Sequence, residues 1–312
     1  MKKFAAVFPG QGSQSVGMFA DLMDEKVVAD VYAEASDALG YDLKALTLNG
    51  PESELNKTEI TQPAILTASV AAYRLLTERS GAIPAFAAGH SLGEYSALVC
   101  AGSIAFSDAV KLVRVRGKAM QEAVPAGQGS MAAVLGVSDE DIEKGCEQVR
   151  AKGLKVWAAN FNTPGQVVIS GAKDGVDAAS EYFSANGAKR VVALAVSAPS
   201  HCPLMQSAAD KLKEALDSIE VKNAAYPVYA NFTAAKETDA AAIKKALLAQ
   251  LTGPVRWAQS VQAMASEGVG ILCELGPSRV LSGMLRRIDK SLTACNVCDK
   301  ASLEKAVAAL GE

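Results

Sequence analysis

The sequence predicts an α/β protein: a mainly parallel sheet covered by helices on both faces, with a smaller unit of order βαββαβ inserted into it. Short apolar runs alternate with helical stretches along most of the chain, the pattern of strands joined by crossover helices. One central section breaks that alternation by placing two strand-like runs side by side. At 312 residues the chain can bury a large core and still hold a second folding unit.

Residues 4–8 form a short apolar run that reads as a first buried strand. The opening Met1-Lys2-Lys3 briefly imitates an export signal, but its apolar run stops at Pro9, short of the ~7–15 residues such a signal needs. Helical spacing follows over 63–77, the end of a second strand over 86–88, and another helix over 108–124. Pro125-Ala126-Gly127-Gln128-Gly129 is a flexible joint. After it come a strand at 130–136, a helix at 139–152, strands at 155–160 and 166–171, a helix at 176–186 and a strand at 189–196. That order is the split ferredoxin-like motif. It divides the chain into a large domain, 1–127 with 198–312, and a small subdomain, 128–197. Helices over 204–216, 240–251 and 280–288, with a strand at 271–275, restore the alternation.

Half of the residues are apolar and 21% are charged, an ordinary globular composition. A net charge of −3, with no basic run, argues against a nucleic-acid partner. No apolar stretch reaches the ~18 residues of a membrane span, so no membrane partner is expected. Six cysteines in mostly apolar settings suit a reducing compartment, hence the cytoplasm. Cys295-Asn296-Val297-Cys298 is a lone CxxC; without two further ligands nearby it reads as a pair of thiols, not a metal site. No cofactor is expected.

Chemistry concentrates at Gly89-His90-Ser91-Leu92-Gly93, a G-x-S-x-G sequence between a strand and a helix. The glycines allow strand and helix to approach closely, and the sharp turn pushes the Ser91 hydroxyl out at the carboxyl edge of the sheet. The helix start then faces any oxyanion that forms, with the Leu92 N–H as one donor. The alternative, a helix-capping serine, would be the better reading of the bare pentapeptide; the strand–turn–helix context favours the nucleophile.

A serine nucleophile needs a base, and the chain has only two histidines. His90 adjoins Ser91 in a tight turn, where neighbouring side chains diverge, so it reads as a structural group beneath the elbow. His201, in Ala198-Pro199-Ser200-His201-Cys202-Pro203, follows the strand ending at 196. It is therefore expected at the carboxyl end of a strand of the same sheet. Its orienting group has no obvious acid. The helix over 240–251 ends at Gly253-Pro254 and leaves free carbonyls in its last turn, Gln250 among them.

The first loop, Pro9-Gly10-Gln11-Gly12-Ser13-Gln14, fails as a dinucleotide fingerprint because Ser15 stands where the third glycine belongs. It is either a tight turn or a second oxyanion donor through the Gln11 N–H. On the helix over 108–124, Val110, Val113, Gly117 and Met120 form an apolar arc, with Lys111, Arg114 and Lys118 opposite and Arg116 at the arc's edge. A charge there needs an anion, either an internal carboxylate or the carboxylate of a substrate.

These segments together resemble the malonyl-CoA:acyl carrier protein transacylases of fatty-acid synthesis, over essentially the whole chain. The matching stretches are FPGQGSQ (8–14), TQPA (61–64), GHSLGEYSA (89–97), RGKAMQ (116–121), NFNTPGQVVISG (160–171), PSHCPLM (199–205) and ELGP (274–277). One departure is Ser278, where relatives often have glycine. The resemblance implies an α/β hydrolase-like large domain with a ferredoxin-like insert. It implies an acyl-serine at Ser91, His201 as general base held by the Gln250 carbonyl, and oxyanion donors at the N–H groups of Gln11 and Leu92. It gives the malonyl carboxylate to Arg116, and malonyl-CoA and an acyl carrier protein as partners. Because carrier proteins are typically acidic, Lys189-Arg190 and Arg286-Arg287 are candidates for a docking rim, or simply solvated surface. An esterase or thioesterase shares G-x-S-x-G but usually places its histidine after the last strand, whereas about a third of this chain follows His201. A non-catalytic docking module would give no reason for Arg116.

Overall fold

The computed structural model describes residues 3–196 and 198–311. Met1, Lys2 and Ser197, which belong to the signal-like opening and the expected subdomain boundary, lie outside the described residues.

The strands in chain order are β1 (Phe4–Phe8), β2 (Phe86–Gly89), β3 (Gly129–Leu135), β4 (Val156–Thr163), β5 (Gln166–Ala172), β6 (Arg190–Ala193), β7 (Val228–Tyr229), β8 (Lys236–Glu237), β9 (Ile271–Leu275) and β10 (Thr293–Val297). They form a six-stranded sheet of order β10-β9-β1-β2-β7-β8 and a four-stranded sheet of order β4-β5-β3-β6. In the large sheet every pairing is parallel except the edge pair β7–β8. Its central strand shows why. Phe4, Ala6 and Phe8 enter one core and Ala5 and Val7 another, so both faces of β1 are buried under helices.

The small sheet is antiparallel throughout and packs its own core, including Val134, Phe161, Ile169 and Phe183, under the helices Asp139–Arg150 and Lys173–Ala185. The fold is thus a hydrolase-like α/β domain carrying a ferredoxin-like insert. The structure corrects one strand: the segment expected to run to residue 196 ends at Ala193, and it belongs to the small sheet. The Pro63 helix also begins earlier than its sequence pattern, spanning Thr58–Ser80 with Pro63 inside. Among the described residues no helix is long and apolar enough to cross a membrane.

Candidate active site

The elbow is set by two glycines. A Cβ on Gly89 would lie 1.8 Å from the Gly93 carbonyl carbon, and one on Gly93 would lie 2.1 Å from the Phe8 carbonyl oxygen. With strand and helix that close, the chain turns through Ser91 at φ 53°, the left-handed region that costs a residue with a Cβ roughly 1–3 kcal/mol. Hydrogen bonds hold it there. The Ser91 N–H donates to Asn231 Oδ1 at 2.7 Å, and the Ser91 carbonyl accepts from Gln250 Nε2 at 2.9 Å. Asn231 Nδ2 also donates to the Gly89 carbonyl at 2.6 Å.

His201 reaches this serine from another part of the fold. It follows β6 of the small sheet, not a strand of the sheet that bears Ser91, which corrects the expected placement. The connection 198–205 carries it back toward the large sheet, with its backbone also left-handed (φ 62°). His201 Nε2 stands 2.8 Å from Ser91 Oγ, and Nδ1 stands 2.8 Å from the Gln250 carbonyl. A carbonyl only accepts, so Nδ1 carries the proton and Nε2 is free to take one from the serine. Gln250 lies in the last turn of the helix Ala240–Thr252, where carbonyls have no partner within the helix. Burial, and secondly the charge of Arg116, push the His201 pKa down to about 3, so the imidazole is neutral near pH 7.

His90 points elsewhere. Its Nε2 is 2.8 Å from Asn162 Oδ1 on β4, and its ring lies 5.9 Å from that of Trp257. It ties the elbow to the small sheet, and burial lowers its pKa.

Arg116 is wholly buried, as its place beside the apolar arc of its helix led one to expect. Gly117 permits this depth: a Cβ there would meet the Thr58 carbonyl oxygen at 2.5 Å, so the helices Phe106–Glu122 and Thr58–Ser80 cross in close contact. Arg116 Nη1 donates to Gln62 Oε1 at 3.0 Å; Nη2 donates to Gln250 Oε1 and to Ser91 Oγ, both at 3.1 Å. The guanidinium also sits 5.3 Å from the centre of the Tyr95 ring, and among the described residues its Nε has no hydrogen-bond partner. All these oxygens are neutral. Among the described residues no carboxylate comes within ion-pair distance of Arg116; Glu94, wholly buried, acts on it only through space.

Gln11 follows β1 and Ser91 follows β2, and since these strands are parallel neighbours both loops emerge at one carboxyl edge. A Cβ on Gly10 would lie 2.6 Å from the His90 carbonyl oxygen, so the first loop rests against the elbow. Among the described residues neither the Gln11 nor the Leu92 backbone N–H donates within the protein. Gln11, Ser91, Arg116 and His201 line one cleft of about 560 Å³, whose lining also includes Asn160 and Asn162 of the small sheet. Sequence reasoning missed Asn231, Glu94, Gln62 and Asn162. Glu94, Gln62 and Asn162 fall inside stretches that carry the family resemblance, but only Glu94 stands out locally, as a carboxyl on a mostly apolar helix, Gly93–Cys100. Among the described residues no cluster of metal-binding groups occurs, and all six cysteines are free.

Over residues 6–306 the chain matches the family described as the acyl transferase domain. It is 54% identical over 308 residues to the malonyl CoA-acyl carrier protein transacylase of Salmonella typhimurium, covering 98% of this chain and 99% of that one. The crystal structure of an acyl carrier protein S-malonyltransferase from Vibrio cholerae superposes with a TM-score of 0.95 at 52% identity, covering 97% of this chain and 99% of that one. A malonyl-transacylase solved in complex with a type II PKS acyl-carrier protein gives 0.96 at 53% identity, covering 98% and 99%. A serine elbow, a histidine held by a main-chain carbonyl and this extent of similarity lead to one assignment: the chain belongs to the acyl transferase family.

Proposed function

We propose that this protein transfers the malonyl group of malonyl-CoA to the phosphopantetheine thiol of an acyl carrier protein, through an acyl-serine at Ser91, supplying fatty-acid synthesis. The observation that carries the malonyl assignment is Arg116: a buried cation 3.1 Å from the Ser91 hydroxyl with only neutral oxygens around it. A substrate carboxylate beside the acyl-serine supplies the anion that the described residues do not. The relatives' names and the carrier-protein complex support the donor and the acceptor.

In the first half-reaction the Ser91 oxygen attacks the thioester carbon while His201 Nε2 takes the hydroxyl proton. The negative charge moves to the carbonyl oxygen, where the N–H groups of Gln11 and Leu92 receive it. The tetrahedral intermediate collapses, the C–S bond breaks, and the His201 proton goes to the departing CoA sulfur. In the second half-reaction the carrier thiol gives its proton to His201 and attacks the acyl-serine, and Ser91 leaves with the proton returned. The Gln250 carbonyl stabilises the imidazolium that forms in each half. The cleft lies between the large domain, 1–127 with 198–312, and the small subdomain, 128–197. The six free cysteines are consistent with a cytoplasmic setting.

Mass measurement after mixing with malonyl-CoA tests the reading. A stable malonyl adduct on Ser91, discharged by carrier protein faster than by water, is expected. No adduct overturns it, and rapid discharge by water makes the protein a hydrolase. Arg116→Ala is expected to lower kcat/KM for malonyl-CoA at least about a hundredfold, since it removes charged hydrogen bonds worth roughly 1.5–3 kcal/mol each, and acetyl-CoA much less. Equal losses would remove Arg116 from carboxylate binding.

A further inference from the structure

Glu94 lies directly under the elbow and takes no part in the reaction above. It is 2% exposed, in the first turn of the helix Gly93–Cys100. One carboxyl oxygen, Oε2, accepts from the Asn231 N–H at 3.0 Å and from Gln250 Nε2 at 2.8 Å. Among the described residues no cation pairs with it directly. Burying a carboxyl without an ion pair is costly, so the interest lies in what this oxygen holds.

It holds one end of an amide. The two ends of a glutamine amide are alike in shape and opposite in hydrogen bonding, and only its neighbours decide which way it faces. Gln250 Nε2 points at three acceptors: Glu94 Oε2, the Ser91 carbonyl at 2.9 Å and Asn231 Oδ1 at 3.3 Å. Oε1 is thereby left toward Arg116 Nη2 at 3.1 Å. Reversed, the amide would turn an N–H₂ on the guanidinium and leave oxygens facing oxygens.

We infer that Glu94 is a positioning residue for acyl selectivity: its acceptor oxygen fixes the Gln250 amide so that Oε1 steadies Arg116 beside Ser91. The inference rests on Arg116 binding the acyl carboxylate. Glu94→Gln keeps an acceptor oxygen at that position, whereas Glu94→Met keeps the length and removes it. The measurement is the ratio of kcat/KM for malonyl-CoA to that for acetyl-CoA, with folding checked by circular dichroism. E94M is expected to lower the ratio about tenfold or more, chiefly through malonyl-CoA, and E94Q to stay within about threefold of the parent. A simple packing role would lower both substrates together and leave the ratio unmoved. A folded E94M with an unchanged ratio overturns the inference, and so does an E94Q that falls as far as E94M. If E94M does not fold, Glu94→Asp, which withdraws the carboxyl by one methylene, is expected to lower the ratio as well; an unchanged ratio there is equally decisive against it. Arg116→Ala separates the two readings. Should it lower both substrates equally, the carboxylate reading falls and this one with it; should it collapse the ratio while E94M and E94D do not, Glu94 alone is eliminated.

Discussion

The protonation of single side chains sets the pH behaviour of this site. His201 is kept neutral first by burial and then by the charge of Arg116, with its pKa about 3 against an ordinary 6.5. Acylation by acetyl-CoA, which has no carboxylate of its own, should therefore stay level from pH 8 to about 5, where a solvated histidine would have lost its basic form. In Arg116→Ala one cause of the lowering is gone, and the acid limb of a single-turnover pH profile should move upward. A profile that already falls near pH 6.5 in the parent would contradict the buried, neutral base. Glu94 has the opposite sign. Burial, opposed by the Asn231 N–H, Gln250 and Arg116, raises its pKa from 4.5 to about 7. The folded chain then retains a proton that the unfolded chain releases between those values. Its contribution to stability is full below pH 4.5 and is lost as pH rises through 7. Relative to Glu94→Gln, the parent should lose on the order of 3 kcal/mol across that window, read by denaturant titration at several pH values. A constant difference between the two would rule this out.

At the level of elements, the site depends on a strand and a helix meeting too closely for a side chain. Gly89→Ala would place its Cβ 1.8 Å from backbone that cannot move independently. It should cost at least about 3 kcal/mol and abolish acyl-serine formation by displacing Ser91. A variant that melts with the parent and still acylates would show that the elbow tolerates a wider approach. The helix Ala240–Thr252 contributes through its end: the Gln250 carbonyl, without a partner inside the helix, stands 2.8 Å from His201 Nδ1, the position a carboxylate takes in many hydrolases. Mutation cannot delete that carbonyl, so the role is tied to where the helix stops. Much of this level is legible in sequence. The Gly89–Gly93 spacing, the apolar runs of β1, β2 and β9 and the Gly253-Pro254 stop are local statements, and the residues that make them are contiguous.

Across the whole molecule, the cleft is shared by two sheets with separate cores, and His90 on Asn162 is one of the bonds that span them. The helix Val280–Ile288 lines the cleft through Val280, Leu281 and Met284 and carries Arg286 and Arg287, both exposed. An acidic carrier protein delivering its thiol to Ser91 would pass this rim. Reversing both charges (R286E with R287E) should raise KM for the carrier several-fold at low salt, less at high salt, and leave acylation by malonyl-CoA untouched. No change in carrier KM at either salt would move the docking site elsewhere. By itself the sequence determined the alternation of elements and the ferredoxin-like insertion, and it singled out Ser91, His201 and Arg116 as candidate nucleophile, base and carboxylate-binding arginine, because each has a local pattern or a motif around it. Only the tertiary structure decided that His201 arrives from the small sheet's side and that, among the described residues, no carboxylate lies within ion-pair distance of Arg116. It alone showed that Glu94, Asn231, Gln62 and Gln250 form one hydrogen-bonded network beneath the serine. Those contacts join residues 19 to 159 positions apart, as Gln250 does with Asn231 and with the Ser91 carbonyl, and no periodicity reports on a polar pair that far apart. Burial selects such partners, since a polar group without water must find its match wherever the fold has placed one.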